Sequence, residues 1–320
     1  MPLTSVEICA GAGGQALGLE RAGFHHAALI EIDPASCETL RANRPKWNVI
    51  EGDLREFDGT RYRDIDLLAG GIPCPPFSVA GKQLGPEDER DLFPQAIRLA
   101  SEIRPRAVML ENVRGLLDPR FDAYRGKVEA KMKRLGYEPM WRLLHASSFG
   151  VSQLRPRVVF VCLRKDTASE FFWPDPADVS PPTVGELLFD LMKGNGWEGA
   201  KEWRAQANSI APTIVGGSKK HGGPDLGPTR AKRAWAALGV DGQGIADEAP
   251  DAAFAGMPRL TPRMAARIQG FPDDWHFRGR KTAAYRQIGN AFPPPVAEAV
   301  GKRIAAALRA ASRRIARQSA

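Results

Sequence analysis

Short apolar runs alternate with amphipathic stretches along the first half of the chain. The apolar runs predict buried strands at 5–9, 27–32, 48–50, 66–69 and 106–111. The stretches between them predict helices at 16–22, 35–43 and 91–103. An amphipathic stretch at 120–135 and two further strands at 138–145 and 157–163 follow. Since strands that alternate with helices indicate βαβ units, the sequence predicts an α/β fold with a doubly wound, mostly parallel sheet.

The alternation of apolar runs and amphipathic stretches becomes weak after about residue 170. Residues 173–257 are rich in Pro and Gly, and tryptophans at 173, 197, 203 and 235 argue against a fully disordered segment. This composition predicts a smaller, irregular second domain. A capped helix is predicted at 259–275, where Thr261 precedes Pro262, and the segment 284–304 ends in another helix.

The overall composition is that of a globular protein with a basic balance. The chain has 320 residues, of which 43% are hydrophobic and 26% charged, with a net charge of +8 at pH 7. This balance favours a polyanionic partner. Basic residues in 212–233 suit phosphate contacts, whereas 302–320, with six basic and no acidic side chains, is either a DNA contact or a solvated helix face.

The cysteines and the termini restrict the class of protein. The four cysteines are not paired at metal-ligand spacing, so no zinc site and no disulfide scaffold is expected. The N-terminus has no signal-peptide pattern, and no apolar run approaches about 18 residues. We therefore expect a cytoplasmic protein with reduced thiols, no metal and no membrane partner.

Glycines and acids follow the first strands. Gly11, Gly13 and Gly14 open a turn between strand and helix, which lets backbone N–H groups approach a ligand, although the dinucleotide fingerprint is incomplete. Glu31 and Asp33 both lie at the end of the second strand, where an acid commonly binds ribose. Asp53, after the third strand, is either an acceptor for an exocyclic amine or a turn cap.

A thiol lies just past the fourth strand, in the sequence DLLAGGIPCPPFS. Pro73 and Pro75 flank Cys74 and restrict the backbone around it, so this residue is either a nucleophile or an inert buried cysteine. Glu111 and Asn112 end the fifth strand at the same sheet edge. Arg155 and Arg157 differ by two and are predicted to share one face of an extended segment. The long polar loop that follows Cys74 predicts a lid or binding loop.

These motifs together resemble the DNA (cytosine-5) methyltransferases, in order and over nearly the whole chain. The motifs are EICAGAGGQALGLERAGF, IEID, EGDLREF, GGIPCPPFS, LENVRGL, QLRPRVVFV, RLTPR with QGFPDDW, and IGNAFPPPV. The resemblance implies methyl transfer from S-adenosylmethionine to C5 of a flipped cytosine in a specific double-stranded DNA sequence, through a covalent adduct with Cys74. It also implies a bacterial, modification-type enzyme that protects DNA and acts as a monomer. A cognate restriction endonuclease, where one exists, would act separately.

The resemblance also assigns domains and residues. It implies a catalytic and cofactor-binding domain at 1–172 completed by 284–320, and a target-recognition domain at 173–283. The implied catalytic residues are Cys74, Glu111, Asn112, Arg155 and Arg157. The implied cofactor contacts are Cys9, Ala10, Gly11, Ala12, Gly14, Glu31, Ile32, Asp53, Leu54, Pro73, Leu92, Asn290 and Ala291. The implied DNA contacts are Ser78, Lys82 and Gln83, within a closing loop at 76–90, and Lys219, Lys220 and Arg230.

Two residues depart from the family pattern, and three alternative functions stay open. Cys9 stands where an aromatic residue against the adenine is usual, and Pro75 stands where glutamine is common. A tRNA cytosine-5 methyltransferase would share every catalytic residue, and the long insert before RLTPR favours DNA over it. A nucleotide-binding oxidoreductase would not explain the residues gathered with Cys74. A catalytically inactive DNA-binding module would not explain the intact set of motifs.

Overall fold

The computed structural model describes residues 2–73, 91–178, 180–217 and 225–318. Two compact units are formed, the first by 1–144, 156–175 and 296–320, and the second by 145–155 and 176–295. The first unit therefore contains three separate pieces of the chain. None of the helices in the described ranges combines the length and the apolar character that a membrane crossing requires.

A seven-stranded sheet forms the centre of the first unit, in the order β3-β2-β1-β4-β5-β7-β6. The strands are β1 Leu3–Ile8, β2 Phe24–Glu31, β3 Val49–Glu51, β4 Leu67–Gly71, β5 Ala107–Val113, β6 Tyr137–His145 and β7 Pro156–Arg164. The pairs β1–β2, β1–β4, β2–β3 and β4–β5 are parallel, whereas β5–β7 is antiparallel. The predicted α/β fold with a doubly wound, mostly parallel sheet is confirmed.

The helices of the described residues follow the strands as the sequence predicts. Those of the first unit are α1 Gly14–Arg21, α2 Pro34–Asn43, α3 Phe93–Ile103, α4 Asp122–Arg134, α5 Lys165–Ala168 and, from residue 296 onward, α11 Pro294–Gln318. The helices of the second unit are α6 Val184–Lys193, α7 Ala200–Gln206, α8 Thr229–Ala237, α9 Pro262–Ile268 and α10 Lys281–Asn290.

Gly70 lies beside Ile8 of the neighbouring strand, where there is no room for a side chain. A Cβ atom placed on Gly70 would lie 2.5 Å from Ile8 Cγ1 and 2.7 Å from the Ile8 carbonyl oxygen. Any larger residue would have to push the two strands apart. A hydrophobic core that includes Val6, Ile8 and Leu68 lies against this part of the sheet. The glycine pair thus serves the sheet as well as the turn that follows it.

The second unit is ordered around tryptophans, as the sequence indicates. Trp197, Trp203 and Trp235 are buried there. Helix α6 begins with a capping box formed by Thr183 and Glu186. The helix predicted at 259–275 is shorter than expected, because α9 ends at Ile268 and Gly270 adopts a positive φ of 88°.

The compact units do not coincide with the domain bounds expected from the sequence. Residues 145–155 and 284–295 lie in the second unit, and only 296–320 of the C-terminal segment joins the first. Which unit binds which ligand stays a prediction.

Candidate active site

The turn after β1 is held in conformations that favour glycine. Gly11 and Gly13 have φ values of 54° and 87°, and Cys9 also has a positive φ, of 51°. No heavy atom lies within 4 Å of the position that a Cβ on Gly11 would occupy. The turn therefore leaves open space beside its backbone, directly before the N-terminus of α1.

Glu31 is tied to this turn by its carboxylate. Its Oε2 accepts a hydrogen bond from Gly11 N at 2.7 Å, and its Oε1 accepts from Ile32 N at 2.9 Å and Asp33 N at 2.8 Å. Burial raises the pKa of Glu31, and these backbone donors offset part of that rise. Asp33 instead caps α2 by accepting from Ser36 N at 3.2 Å. Of the two acids after β2, Glu31 is the one that faces the glycine turn.

The residues after β3 complete this side of the site. Asp53 accepts from Arg55 N at 2.9 Å and from Arg55 Nη1 at 3.0 Å, and the Arg55 backbone N–H is the main cause of its lowered pKa. The turn-cap geometry expected of Asp53 is thus present, and its role toward an amine stays a prediction.

The exposure of the apolar side chains near the turn differs. Leu54 is buried, whereas Ile32, which follows β2, is 63% exposed although it is apolar. An apolar side chain of that exposure next to an open turn is suited to contact with a flat ring.

Cys9 behaves as a partly buried thiol. It packs against the main core, and burial together with the charges of Glu31 and Asp53 raises its pKa well above the ordinary range. Because the thiolate is the reactive form, Cys9 is not suited to act as a nucleophile. Cys37 is similar, since burial raises its pKa to about 12.

A buried ion pair lies at the carboxyl end of β5. Arg157 Nε lies 2.8 Å from Glu111 Oε1, and the two side chains are 14% and 9% exposed. The antiparallel register pairs Val113 with Arg157 and Glu111 with Val159, which brings the two side chains together. A Cβ placed on Gly71 would lie 3.5 Å from Glu111 Oε2, so the lack of a side chain at Gly71 leaves room for this carboxylate.

Asn112 holds the end of the neighbouring strand. Its Nδ2 donates to the Ile72 carbonyl oxygen at 3.3 Å, and the Ile72 N–H donates to the Glu111 carbonyl oxygen at 3.2 Å. The backbone two residues before Cys74 is therefore fixed to the strand that carries Glu111. Cys74 itself lies outside the described residues, as do Ser78, Lys82, Gln83, Lys219 and Lys220.

Arg155 lies in the second unit and is completely buried. Its Nη1 donates to the Ile214 carbonyl oxygen at 2.7 Å, and its Nη2 donates to the carbonyl oxygens of Gly289 at 2.7 Å and Ala291 at 3.0 Å. Arg157 has different partners, since it pairs with Glu111 inside the first unit, and the expected shared face of the two arginines stays a prediction. The role of Arg155 in catalysis stays a prediction.

Two glutamines that the sequence analysis did not single out extend this buried network. Gln153 Oε1 accepts from Ile214 N at 2.9 Å, and Gln153 Nε2 donates to Gln269 Oε1 at 2.7 Å. Both glutamine side chains are completely buried. Their positions inside QLRPR and QGFPDDW, two of the motifs that carry the resemblance, were the signal that could have identified them.

The remaining predicted contacts are placed as follows. Pro73 is exposed at the end of the described segment, and Leu92 is partly buried before α3. Ala10 and Ala12 are buried in the turn, and Gly14 begins α1. Asn290 donates to the Gly217 carbonyl oxygen at 3.3 Å, Ala291 caps α10, and Arg230 is exposed on α8.

The arrangement in the first unit combines two sets of groups at one sheet edge. One set is an open glycine turn with an acid bound to its backbone. The other is a buried carboxylate with a guanidinium at 2.8 Å, next to the strand end that leads to a cysteine. The first set suits a ligand with hydroxyl and amine groups. The second suits hydrogen bonding to a substrate and, once the carboxyl group carries a proton, proton donation to it.

Comparison with known proteins identifies the family. The C-5 cytosine-specific DNA methylase model matches residues 3–306. The chain is 62% identical over 312 residues to the type II methyltransferase M.NgoMIV of Neisseria gonorrhoeae, covering 97% of this chain and 99% of that protein. It is 61% identical over 312 residues to M.NaeI of Lentzea aerocolonigenes, covering 96% of this chain and 75% of that protein.

Solved structures share the fold. A putative DNA modification methyltransferase encoded within an E. coli prophage has a TM-score of 0.68 at 23% identity, covering 96% of this chain and 99% of that one. The Dnmt2 protein of Spodoptera frugiperda has a TM-score of 0.65 at 17% identity, covering 94% and 99%. The chain belongs to the C-5 cytosine-specific DNA methylase family and is a DNA (cytosine-5) methyltransferase of the restriction-modification type.

Proposed function

We propose that this enzyme methylates C5 of a cytosine flipped out of a specific duplex sequence, with Cys74 as the covalent nucleophile and S-adenosylmethionine as the donor. The observation that carries the proposal is the Glu111–Arg157 pair, buried beside the strand end that leads to Cys74. A base inside a duplex cannot present its ring to a side chain, so flipping is required at a cost of a few kcal/mol.

The cofactor fits the glycine turn of the first unit. Open space at Gly11 and at Gly52, where a Cβ would meet no heavy atom within 4 Å, leaves room beside Glu31 and the exposed Ile32. When bound, S-adenosylmethionine supplies an electrophilic methyl group. We assign ribose binding to Glu31, ring contact to Ile32 and amine binding to Asp53. The other proposed contacts are Cys9, Ala10, Ala12, Gly14, Leu54, Pro73, Leu92, Asn290 and Ala291.

Covalent addition makes C5 of cytosine reactive enough to accept a methyl group. The Cys74 thiolate adds to C6, the electron pair of the C5–C6 double bond is displaced toward C5 and N3, and C5 becomes nucleophilic. Glu111 in its protonated form donates its proton or a hydrogen bond to N3, and Arg157 holds the carboxyl group in place. After C5 has accepted the methyl group, a basic group takes up the C5 proton, and the C5–C6 double bond re-forms as the C6–sulfur bond breaks to regenerate the thiolate. N3 returns its proton to Glu111.

We assign target recognition to the second unit and to segments outside the described residues. Ser78, Lys82 and Gln83 in the loop 76–90, together with Lys219, Lys220 and Arg230, are the proposed DNA contacts. The names of M.NgoMIV and M.NaeI as type II methyltransferases support a protective role beside a restriction endonuclease.

Trapping with a fluorinated base tests the nucleophile. A duplex carrying the target sequence with 5-fluorocytosine should give a stable protein–DNA adduct in the presence of methyl donor, because fluorine at C5 cannot leave as a proton does. Peptide mapping should locate the adduct at Cys74, and Cys74→Ser should give none while still binding DNA. An adduct at another residue, or full turnover by Cys74→Ser, would overturn the mechanism. Methyl transfer to tRNA but not to duplex DNA would overturn the assignment of duplex DNA as the substrate.

A further inference from the structure

The positive charge of the chain is concentrated in one helix. The net charge is +8 at pH 7, and residues 302–320 contain six basic and no acidic side chains. This segment therefore accounts for six of the eight excess positive charges. Residues 302–318 belong to α11 in the first unit. Much of the excess positive charge thus lies on a helix that contributes none of the residues assigned above to the cofactor or the cytosine.

Helix α11 lies along the amino-terminal edge of the sheet. Arg106, just before β5, donates to the Leu308 carbonyl oxygen at 2.7 Å and to Ser312 Oγ at 2.8 Å. A Cβ placed on Gly23, just before β2, would lie 3.3 Å from Arg309 Nη2. Because Glu111 is near the carboxyl end of β5, this edge is opposite to the candidate active site within the same unit.

Some basic side chains at this edge are neutralised. Arg106 pairs with Asp66 at 2.9 Å, Arg303 with Asp175 at 2.7 Å and Arg314 with Glu170 at 3.5 Å. These arginines fasten the edge and the helix to the rest of the unit. They contribute little net charge to the surface.

Other arginines at the same edge are exposed and have no carboxylate within 4 Å among the residues that the structure describes. They come from the end of α1, the segment before β4, the end of α3 and the last turns of α11, and they are Arg21, Arg63, Arg104, Arg309, Arg313 and Arg317. We call this set the basic edge. Its six charges come from four separate segments that the fold brings to one side of the sheet.

The α11 members of the basic edge have a regular spacing. Arg309, Arg313 and Arg317 are four residues apart, so they lie on one helical face in steps of about 6 Å along the axis. A DNA strand presents one phosphate for about every 3.4 Å of duplex axis, so these steps match roughly every second phosphate. Guanidinium groups are also well suited to bind phosphate through paired N–H donors.

We propose that the basic edge is a second DNA-binding surface, which holds the phosphate backbone of duplex DNA without reading its sequence. It rests on DNA being the substrate polymer, but it is separate from the chemistry at Cys74 and Glu111. Phosphate contacts of this kind raise affinity for any DNA, speed association and allow movement along it. The basic edge thus keeps the enzyme on DNA, while the opposite edge acts on cytosine.

The test compares two sets of substitutions that remove the same charge. The first is the triple variant Arg309→Gln, Arg313→Gln and Arg317→Gln. The control is Lys127→Gln, Lys131→Gln and Arg134→Gln on α4, whose exposed side chains also follow helical spacing in the first unit. Glutamine keeps good helix propensity, so both proteins should fold, which circular dichroism and thermal unfolding will check. Binding to a duplex without target sites is measured between about 50 and 200 mM salt.

The α11 variant should bind this duplex about ten- to a hundredfold more weakly at low salt. Its slope of log affinity against log salt should flatten by about 2 to 3, since each phosphate contact contributes about 0.9. The control should keep the wild-type slope. Replacing the three arginines by lysine should also keep most of the slope, because the charges remain. Single-turnover methylation of a saturating short duplex that contains the target should stay within about twofold of wild type.

An unchanged slope in the α11 variant would overturn the proposal. Equal flattening in both variants would do the same, because net charge alone would then explain it. A lysine variant as weak as the glutamine variant, or a large loss of single-turnover rate, would also contradict a separate electrostatic surface. Normal DNA binding by a wild-type protein that never methylates cytosine would instead refute the proposed function and leave the basic edge intact.

Discussion

The carboxyl edge of the sheet and the interior of the second unit each bury an arginine, in two different ways. Arg157 pairs with the carboxylate of Glu111 at 2.8 Å. Arg155, two positions earlier, donates to the carbonyl oxygens of Ile214, Gly289 and Ala291. Gly289 lies in the last turn of α10 and Ala291 caps it, so the negative end of a helix dipole faces the Arg155 guanidinium.

The two arginines have different roles because their hydrogen-bond partners differ. A guanidinium on a carboxylate fixes the geometry of a group that can act on a substrate, so Arg157 belongs with the chemistry. A guanidinium that donates to three carbonyl oxygens links segments that are distant in sequence. Arg155 therefore connects Ile214 with residues 289–291 inside the second unit. We therefore expect loss of catalysis at the first site and loss of folding stability at the second.

The largest expected effect is at the carboxyl edge. Glu111→Gln should lower the single-turnover methylation rate by about 10²–10⁴-fold, because general-acid help at N3 is lost while the side chain keeps its size. Duplex binding and thermal unfolding should change little. The measurement is methyl transfer to saturating target duplex with rapid quenching. A decrease in the methylation rate of less than about tenfold would show that Glu111 does not act in the chemical step. The proposed difference in role between Glu111 with Arg157 and Arg155 would then not hold.

A large loss of stability is expected in the second unit. Arg155→Met should lower the free energy of unfolding by about 3 kcal/mol, since three buried carbonyl oxygens lose donors and each loss costs about 1 kcal/mol or more. Urea unfolding followed by tryptophan fluorescence measures this. Arg233→Met, at an exposed position on α8 in the same unit, is the matched control and should change the value by less than about 0.5 kcal/mol. If Arg155→Met has the wild-type free energy of unfolding, the hydrogen bonds from Arg155 to the three carbonyl oxygens do not stabilise the fold.

A smaller effect is expected at His26, a partly buried side chain that stays neutral and has no carboxylate partner among the described residues. Its Nδ1 lies 2.9 Å from Ser5 Oγ and its Nε2 lies 2.9 Å from the Ala16 carbonyl oxygen, and burial lowers its pKa to about 4. The unfolded histidine has a pKa of about 6.5, so the unfolded state binds more protons between these values. Stability from this site is therefore present above about pH 6.5 and is lost as the pH falls.

The free energy of unfolding, measured with urea, should therefore fall by about 2 kcal/mol between pH 7 and pH 5. His26→Gln should lack most of this pH dependence, since it removes the titrating ring. His25→Gln is the control, because His25 is exposed at the neighbouring position of the same strand. If His25→Gln and His26→Gln change the pH dependence equally, burial at His26 is not its cause.

Much of the fold was predictable because its signals are local. Strand and helix positions in the first half follow from apolar runs and from caps such as Asp33 before Pro34. The helix expected at 259–275 was too long because Gly270 and Pro272 stop α9, and that stop was visible in the sequence. The bounds of the compact units were less predictable, because the assignment of 284–295 depends on contacts with distant segments.

The candidate site was predictable in its residue types and less so in their contacts. Glu31 and Asp33 were equal candidates from spacing, and only the structure shows that Glu31 meets the Gly11 N–H. Asn112 was expected at the active edge, and its hydrogen bond to Ile72 depends on the pairing of β4 with β5. Gln153 and Gln269 lie far apart in sequence, so no local pattern predicts that they meet.

The sequence was sufficient to predict the α/β class, the order of the motifs, and the position of Glu111 near the strand end before Cys74, because parallel strands end at one edge. Tertiary packing determined that Arg157 meets Glu111 while Arg155 lies in the second unit. It also decided that arginines from four segments form one basic edge. The physical reason is that a local pattern sets which face a side chain takes, whereas packing between distant segments sets which charges and carbonyl groups it meets there.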